Sequence, residues 1–177
     1  MAATYALVHE QGHRPTTAAH VAERAGVTEA TVLYHFPSKD HLYAAVFEHV
    51  LAEYLHPRPH DTPAELEDFL RSLVTRDTEN SHIARLYQVL MAESSDPTHP
   101  AHPVFATRTE RVVGAMARDL AYFEDSGQVR LIDSPQRCAR MVVGAWDGVQ
   151  AQWFIAPDFD LATDVVTVLR AVAPLAD

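Results

Sequence analysis

The chain has 177 residues, 47% of them apolar, so it is long enough to bury a full core and is not disordered by composition. No apolar run could cross a bilayer, no signal peptide opens the chain, and Cys138, the single cysteine, excludes an intrachain disulfide, so a soluble cytoplasmic protein is expected. The net charge of −10 argues against a partner held by phosphate neutralisation.

Taken in order, the predicted elements are all helices, with no strand, repeat or low-complexity tract. MAATYALVHEQG is periodic from its first residues and stops at Gly12. It has neither cap nor lead-in, so the first helix is expected to be short at its N-terminal end. From Thr16 to Lys39, TTAAHVAERAGVTEATVLYHFPSK reads as two short helices joined by a tight turn. Thr17 suits the N-cap of the first, because its hydroxyl can accept from an orphan N–H in the opening turn. Ala18, Val21, Ala22 and Ala25 recur at i, i+3, i+4 and i+7, which is one helix face. Gly26 ends that helix, since a residue without Cβ adopts the left-handed conformation freely. Thr28 can cap the second helix, Val32 and Phe36 anchor its inner side, and Pro37 stops it. Ser38 is placed to cap the next. Small residues on both helices allow the close crossing of a helix-turn-helix.

A longer helix follows from Ser38 to about Leu55, with Leu42, Ala45, Val46, His49 and Leu55 along one side. HPRPHDTP (56–63) breaks regular structure, which places a domain boundary nearby. Thr62-Pro63-Ala64-Glu65 is a helix start by cap, first-position proline and acidic third residue. That helix runs to about Asp77 and buries Leu66, Phe69, Leu70 and Leu73. The next spans Ser81 to Glu93, with Ile83, Leu86, Tyr87, Leu90 and Met91 inward. A loop over 94–103 leads to a long helix from Val104 to about Asp125, carrying Phe105, Val112, Met116, Leu120 and Phe123 and ended by Gly127. Ser134-Pro135 opens a helix to about Ile155. Its stripe is Cys138, Met141, Val142, Ala145, Trp146, Val149 and Trp153, with Ala139, Val143 and Phe154 off it. A helix apolar on more than one side must be covered on more than one side, and Gly144 and Gly148 would admit a close neighbour. Phe159 to about Val172 aligns Leu161, Val165, Val168, Leu169 and Val172.

Many helical proteins contain such a corner, but the fixed spacings here are specific. Ala3, Leu7, Glu10, Gly12, Thr16, Thr17, Ala22, Ala25-Gly26-Val27-Thr28, Thr31, His35-Phe36, Ser38-Lys39, Leu42 and Val46 resemble the DNA-binding signature of the TetR family of transcriptional regulators. The resemblance covers about the first third of the chain; the rest is similar to the family in helix layout. It implies a helix-turn-helix domain over 1–47 and a larger α-helical ligand-binding and dimerisation domain over 48–177.

In such a fold the second helix enters the major groove, so Thr28 to His35 is the candidate reading surface. Thr28 and Thr31 can bond a phosphate or base edge, Glu29 can accept from a cytosine amine, and Ala30 can meet a thymine methyl. Thr28 could equally serve as a cap alone, and Glu29 could be a solvated acid. Thr17 joins the set at the start of the preceding helix. Where the family usually has a tyrosine this chain has Leu33, which would pack on sugar or methyl while Tyr34 or His35 supplies the polar contact. Lys39 matches the family lysine that holds phosphate at the start of the following helix, where exposed N–H groups also favour an anion. The head is poor in cations: residues 1–55 hold Arg14, Arg24 and Lys39 against six carboxylates, with six histidines that add charge only below about pH 6.5. A basic segment ahead of the first helix, usual in the family, would supply more.

For the larger domain the candidate ligand lining is Tyr87, Met91, Phe105, Thr109, Met116, Trp146 and Trp153, apolar walls with few polar groups. The same residues at helical spacing would also serve as plain core. Asp147, Gln150 and Gln152 could orient a ligand or face a partner subunit. His56, His60 and Asp61, and His99 with His102, lie close in sequence but in proline-broken loops without a cysteine cluster, so no metal is expected. Cys138 in its apolar stripe reads as core. No cofactor is implied, and no nucleophile–base spacing or phosphate loop suggests an enzyme. The resemblance therefore implies a homodimeric regulator, usually a repressor, on a palindromic double-stranded operator, released by a small-molecule effector and without a membrane partner. The alternative is an all-α ligand-binding or interaction protein whose reading head is degenerate.

Overall fold

The computed structural model describes residues 1–54 and 60–176, and most of these are helical. Among them run α1 (Ala2–Gln11), α2 (Ala18–Ala25), α3 (Glu29–His35), α4 (Lys39–Tyr54), α5 (Pro63–Glu79), α6 (Ser81–Glu93), α7 (His102–Asp125), α8 (Pro135–Ile155) and α9 (Leu161–Val172). The chain forms two compact units: Met1–Leu55 with Asp77–Arg108, and His56–Arg76 with Thr109–Asp177. Leu55, assigned above to the α4 face, and residues 56–59 of the 56–63 break lie outside the described residues.

In the first unit α1 packs on α2, α4 and α6, and α2 on α3. Two apolar clusters result. Leu7, Val21, Ala22, Val32 and Leu42 form one, with Ala18 and Phe36 against it. Val8, Tyr43, Phe47, Leu86, Tyr87 and Phe105 belong to the other. Neighbouring residues on a helix point about 100° apart, so Leu7 and Val8 send α1 into both clusters. The same holds for α4, and it corrects the single stripe expected there. Tyr43, Ala44, Phe47 and Val50 are buried beside Leu42 and Val46, whereas Ala45 is half-buried and His49 exposed. Ala25, assigned to the α2 face, is also exposed, because the helix has reached its C-terminal turn.

The second unit is built on one core that includes Leu66, Leu70, Val113, Leu120, Phe123, Cys138, Val142, Leu161, Val165 and Leu169. The start of α5 closes as a capping box: the Glu65 N–H donates to Thr62 Oγ1 at 3.3 Å, and Glu65 Oε2 accepts from the Asp61 N–H at 2.9 Å. The carboxylate thus reaches one residue before the cap. Asp160 caps α9 by accepting from the Thr163 N–H and hydroxyl at 3.1 and 2.6 Å. α8 and α9 pack along each other. This turns α8 so that Cys138, Ala139, Val142 and Val143 are buried while Met141, assigned to its stripe, is 43% exposed. Phe69 and Leu73 of α5 are half-buried, and Val74 takes the inner place. The one non-helical pairing among the described residues is a single antiparallel bridge between Val129 and Leu175, held by bonds such as Arg130 N–H to Pro174 O at 2.9 Å.

Candidate nucleic-acid interface

The corner between α2 and α3 is assembled from the residues that the sequence singles out. Thr17 accepts the His20 N–H at 3.2 Å, and Thr28 accepts the Thr31 N–H at 3.2 Å, so both helices start on a side-chain cap. Between them Gly26 adopts φ 68°, ψ 31°, and its N–H closes α2 on the Glu23 carbonyl at 3.2 Å. Ser38 caps α4 by accepting the His41 N–H at 3.3 Å. Val32 alone in α3 is buried, with Phe36 half-buried behind it.

Everything else on α3 is turned outward. Thr28, Glu29, Ala30, Thr31, Leu33, Tyr34 and His35 are all exposed, with Tyr34 at 83%. The Thr28 and Thr31 hydroxyls lie 2.8 Å apart, and the Tyr34 and His35 rings meet edge to face at 5.2 Å. A seven-residue helix that buries one apolar side chain and exposes a run of mixed donors, acceptors and apolar groups has the chemistry to read base edges.

Below α3 the charges are sparse. Arg24 is held by Glu10, with Nη1 to Oε1 at 3.0 Å and a second contact from Nη2 to Oε2. Lys39 is exposed and donates from Nζ to the Arg14 carbonyl at 2.9 Å, its ammonium 5.5 Å from the centre of the Tyr43 ring. The Tyr43 hydroxyl is shared between the His13 and Thr16 carbonyls, the latter at 3.2 Å. Burial, then the Asp40 charge, pushes this phenol above its ordinary range, so it remains a donor. The His13 imidazole is shifted the other way: burial, then Lys39 and Arg14, hold it below its usual value. Sequence reasoning counted Arg14 among the few cations without giving it a role, and it passed over Tyr43. A tyrosine inside an apolar run carries no signal of the loop carbonyls that it meets.

Asp40, Glu93 and His99 also converge in this unit, with His99 Nε2 at 3.9 Å from Asp40 Oδ2 and 3.7 Å from Glu93 Oε2. His99 Nδ1 accepts the Ala101 N–H at 3.2 Å, which puts the ring proton on Nε2. The imidazole thus faces the carboxylates as a donor rather than as a metal ligand.

The residues expected to line a ligand site fall in both units. In the first, Tyr87 and Phe105 stack at 5.4 Å, and the Tyr87 hydroxyl donates to Met91 Sδ at 3.2 Å. Phe47, which sequence reasoning passed over, closes this cluster at 6.0 Å from Tyr87. In the second, Met116 is buried, Trp146 and Trp153 are half-buried against the core, and Thr109 is exposed. A separate cavity of about 350 Å³ opens in the second unit between Leu66, Phe123 and Leu169, with the Arg170–Glu67 ion pair (2.8 and 2.5 Å) at its side. None of the seven expected residues lines it.

A capped helix-turn-helix that exposes its second helix has the form of a major-groove reading corner. Residues 1–46 match the family model of bacterial regulatory proteins, tetR family. No curated protein sequence matches the chain. Among solved structures it is similar to a TetR transcription regulator from Haloarcula marismortui, with 20% identity and TM-score 0.79 over 99% of this chain and 95% of that one. It is similar to SmeT, the repressor of the Stenotrophomonas maltophilia multidrug efflux pump SmeDEF, with 23% identity and TM-score 0.72 over 99% and 88%. It is also similar to Thermus thermophilus FadR, a TetR-family repressor in complex with lauroyl-CoA, with 22% identity and TM-score 0.70 over 97% and 90%. Likeness at these identities speaks to the fold, which is all-helical in each domain of this chain as well.

Proposed function

We propose that the chain is a ligand-responsive transcriptional repressor that acts as a cytoplasmic homodimer on a palindromic operator. The observation that carries this reading is α3: capped by Thr28, anchored by Val32, and otherwise turned wholly to solvent. In this reading Thr28, Glu29, Ala30 and Thr31 meet base edges and Leu33, Tyr34 and His35 extend the contact. Thr17 and Lys39 hold phosphate. The head is residues 1–47 and the remainder, 48–177, binds effector and partner; Tyr87, Met91, Phe105, Thr109, Met116, Trp146 and Trp153 are its candidate lining. Two of the similar structures are repressors by name and one is bound to an acyl-CoA, which supports an effector-controlled repressor over an enzyme. Among the described residues no helix is long and apolar enough to cross a membrane.

One observation favours a second reading, a ligand-binding protein with a degenerate head: of three basic side chains in residues 1–55, Arg24 is already held by Glu10. Fluorescence anisotropy on the DNA upstream of the gene, against scrambled DNA across a salt series, separates the two. The repressor reading expects sequence preference, and Lys39→Ala should weaken binding to all sequences and lower the salt slope by about 1 per protomer. Equal, weak binding to both DNAs would favour the degenerate head.

A further inference from the structure

Arg14 and Lys39 are the basic side chains of residues 1–54 that no carboxylate holds. They come from different places in the chain, the α1–α2 turn and the start of α4, and one contact joins them: Lys39 Nζ on the Arg14 carbonyl. That turn is not helical over 12–17, so its carbonyls need donors from elsewhere. Thr16 Oγ1 serves the Gly12 carbonyl at 2.8 Å. Tyr43, one helical turn beyond Lys39, serves His13 and Thr16, on either side of Arg14. The same ring lies beside the Lys39 ammonium. At 4% exposed, Tyr43 cannot itself reach DNA.

We infer that Tyr43 is the positioning residue of the head's phosphate-binding surface: its hydroxyl fastens the 13–16 turn to α4 and so keeps the turn that carries Arg14 against the Lys39 ammonium. The inference rests on the DNA-binding reading above. The Lys39 ammonium is held by the Arg14 carbonyl dipole and the Tyr43 ring face before any phosphate arrives. A phosphate oxygen then meets an ammonium and a turn already in place, so that only the Arg14 side chain has to be ordered on contact. Arg14 becomes a phosphate contact alongside Lys39.

The test uses the full chain on the upstream duplex across a salt series, with Tyr43→Phe, Lys39→Ala and the double variant. Tyr43→Phe keeps the ring and is expected to weaken binding about fivefold, the scale of one lost hydrogen bond, with a shallower salt slope. Amide exchange over 13–17 should accelerate. Added to Lys39→Ala, the same change should cost under about twofold, since the two act through one surface. A Tyr43→Phe protein with a lower Tm but an unchanged salt slope would show a merely structural role and overturn the inference. Equal affinity at every salt would overturn it too, leaving the regulator reading intact, whereas a wild type that binds no duplex would overturn both. Should Tyr43→Phe fail to fold, Arg14→Ala, at an exposed position, decides the matter. Loss comparable to that of Lys39→Ala is expected, and unchanged binding would overturn the inference.

Discussion

His13 shows how one side chain can tie the stability of the head to pH. Burial is the main cause that holds its imidazole below the ordinary 6.5, and the nearby Lys39 and Arg14 charges add to it. The folded state therefore prefers the neutral ring, and the unfolded chain takes up a proton first as pH falls. His13 thus contributes stability fully above pH 6.5, and that contribution is lost as pH drops from there through the folded-state value. The expected outcome is a urea midpoint that decreases between pH 7.5 and pH 5.5, with the decrease smaller in His13→Gln. Equal decreases in the two proteins would remove His13 from the explanation. The exposed Asp96 and Asp160 contribute in the opposite sense of charge and in a lower window. Hydrogen bonds from Thr98 and Thr163 depress their carboxyls, so what they add is present above the ordinary 3.8 and fades only below it.

Among the elements, the α2–α3 corner depends most on local chemistry. Gly26 sits at φ 68°, and a Cβ built there meets nothing within 4 Å, so torsion alone opposes a side chain. Gly26→Ala is expected to destabilise by about 1–2 kcal/mol, seen as a lower urea midpoint at unchanged m-value; a midpoint equal to wild type would mean that the corner relaxes freely. This corner was legible in the sequence because caps, glycine and proline act through neighbours in the chain, as with Thr17, Thr28, Ser38 and Gly26. The bounds of α6, Ser81–Glu93, also agree with the sequence, although Asn80 before it makes no side-chain cap and its amide oxygen instead meets the His9 ring. Faces of α4 and α8 were less legible, since they depend on partners far away in sequence. Phe47 turns inward because Tyr87 and Phe105 wait there, and Met141 turns outward because α9 takes the other side of α8. Tyr43 was invisible for a third reason: its partners are backbone carbonyls, which every residue has.

At the scale of the whole molecule, the outer side of α8 is bare. Gly144 and Gly148 are exposed one turn apart, a Cβ at either would touch nothing within 4 Å, and Met141 and Ile155 extend the bare surface at 43% and 87% exposed. Such a flat, small-residue strip beside apolar groups fits a close helix crossing, and in a two-fold dimer the same patch would meet itself. If the proposed homodimer forms through this strip, Gly148→Arg separates dimerisation from folding, because the protomer leaves room for the side chain. Within the protomer it also replaces a helix-interior glycine, which lowers the conformational cost of the helix by up to about 1 kcal/mol. The expected outcome is unchanged helicity by circular dichroism with the mass from light scattering reduced to one protomer. Two arginines facing each other across the axis would have to desolvate without a counter-charge. Binding to a palindromic duplex should then weaken at least about tenfold, since a lone head reaches one half-site and forfeits the second. A Gly148→Arg protein that keeps the dimer mass at micromolar concentration would remove the α8 strip from the interface and send the search to the remaining exposed faces of the second unit.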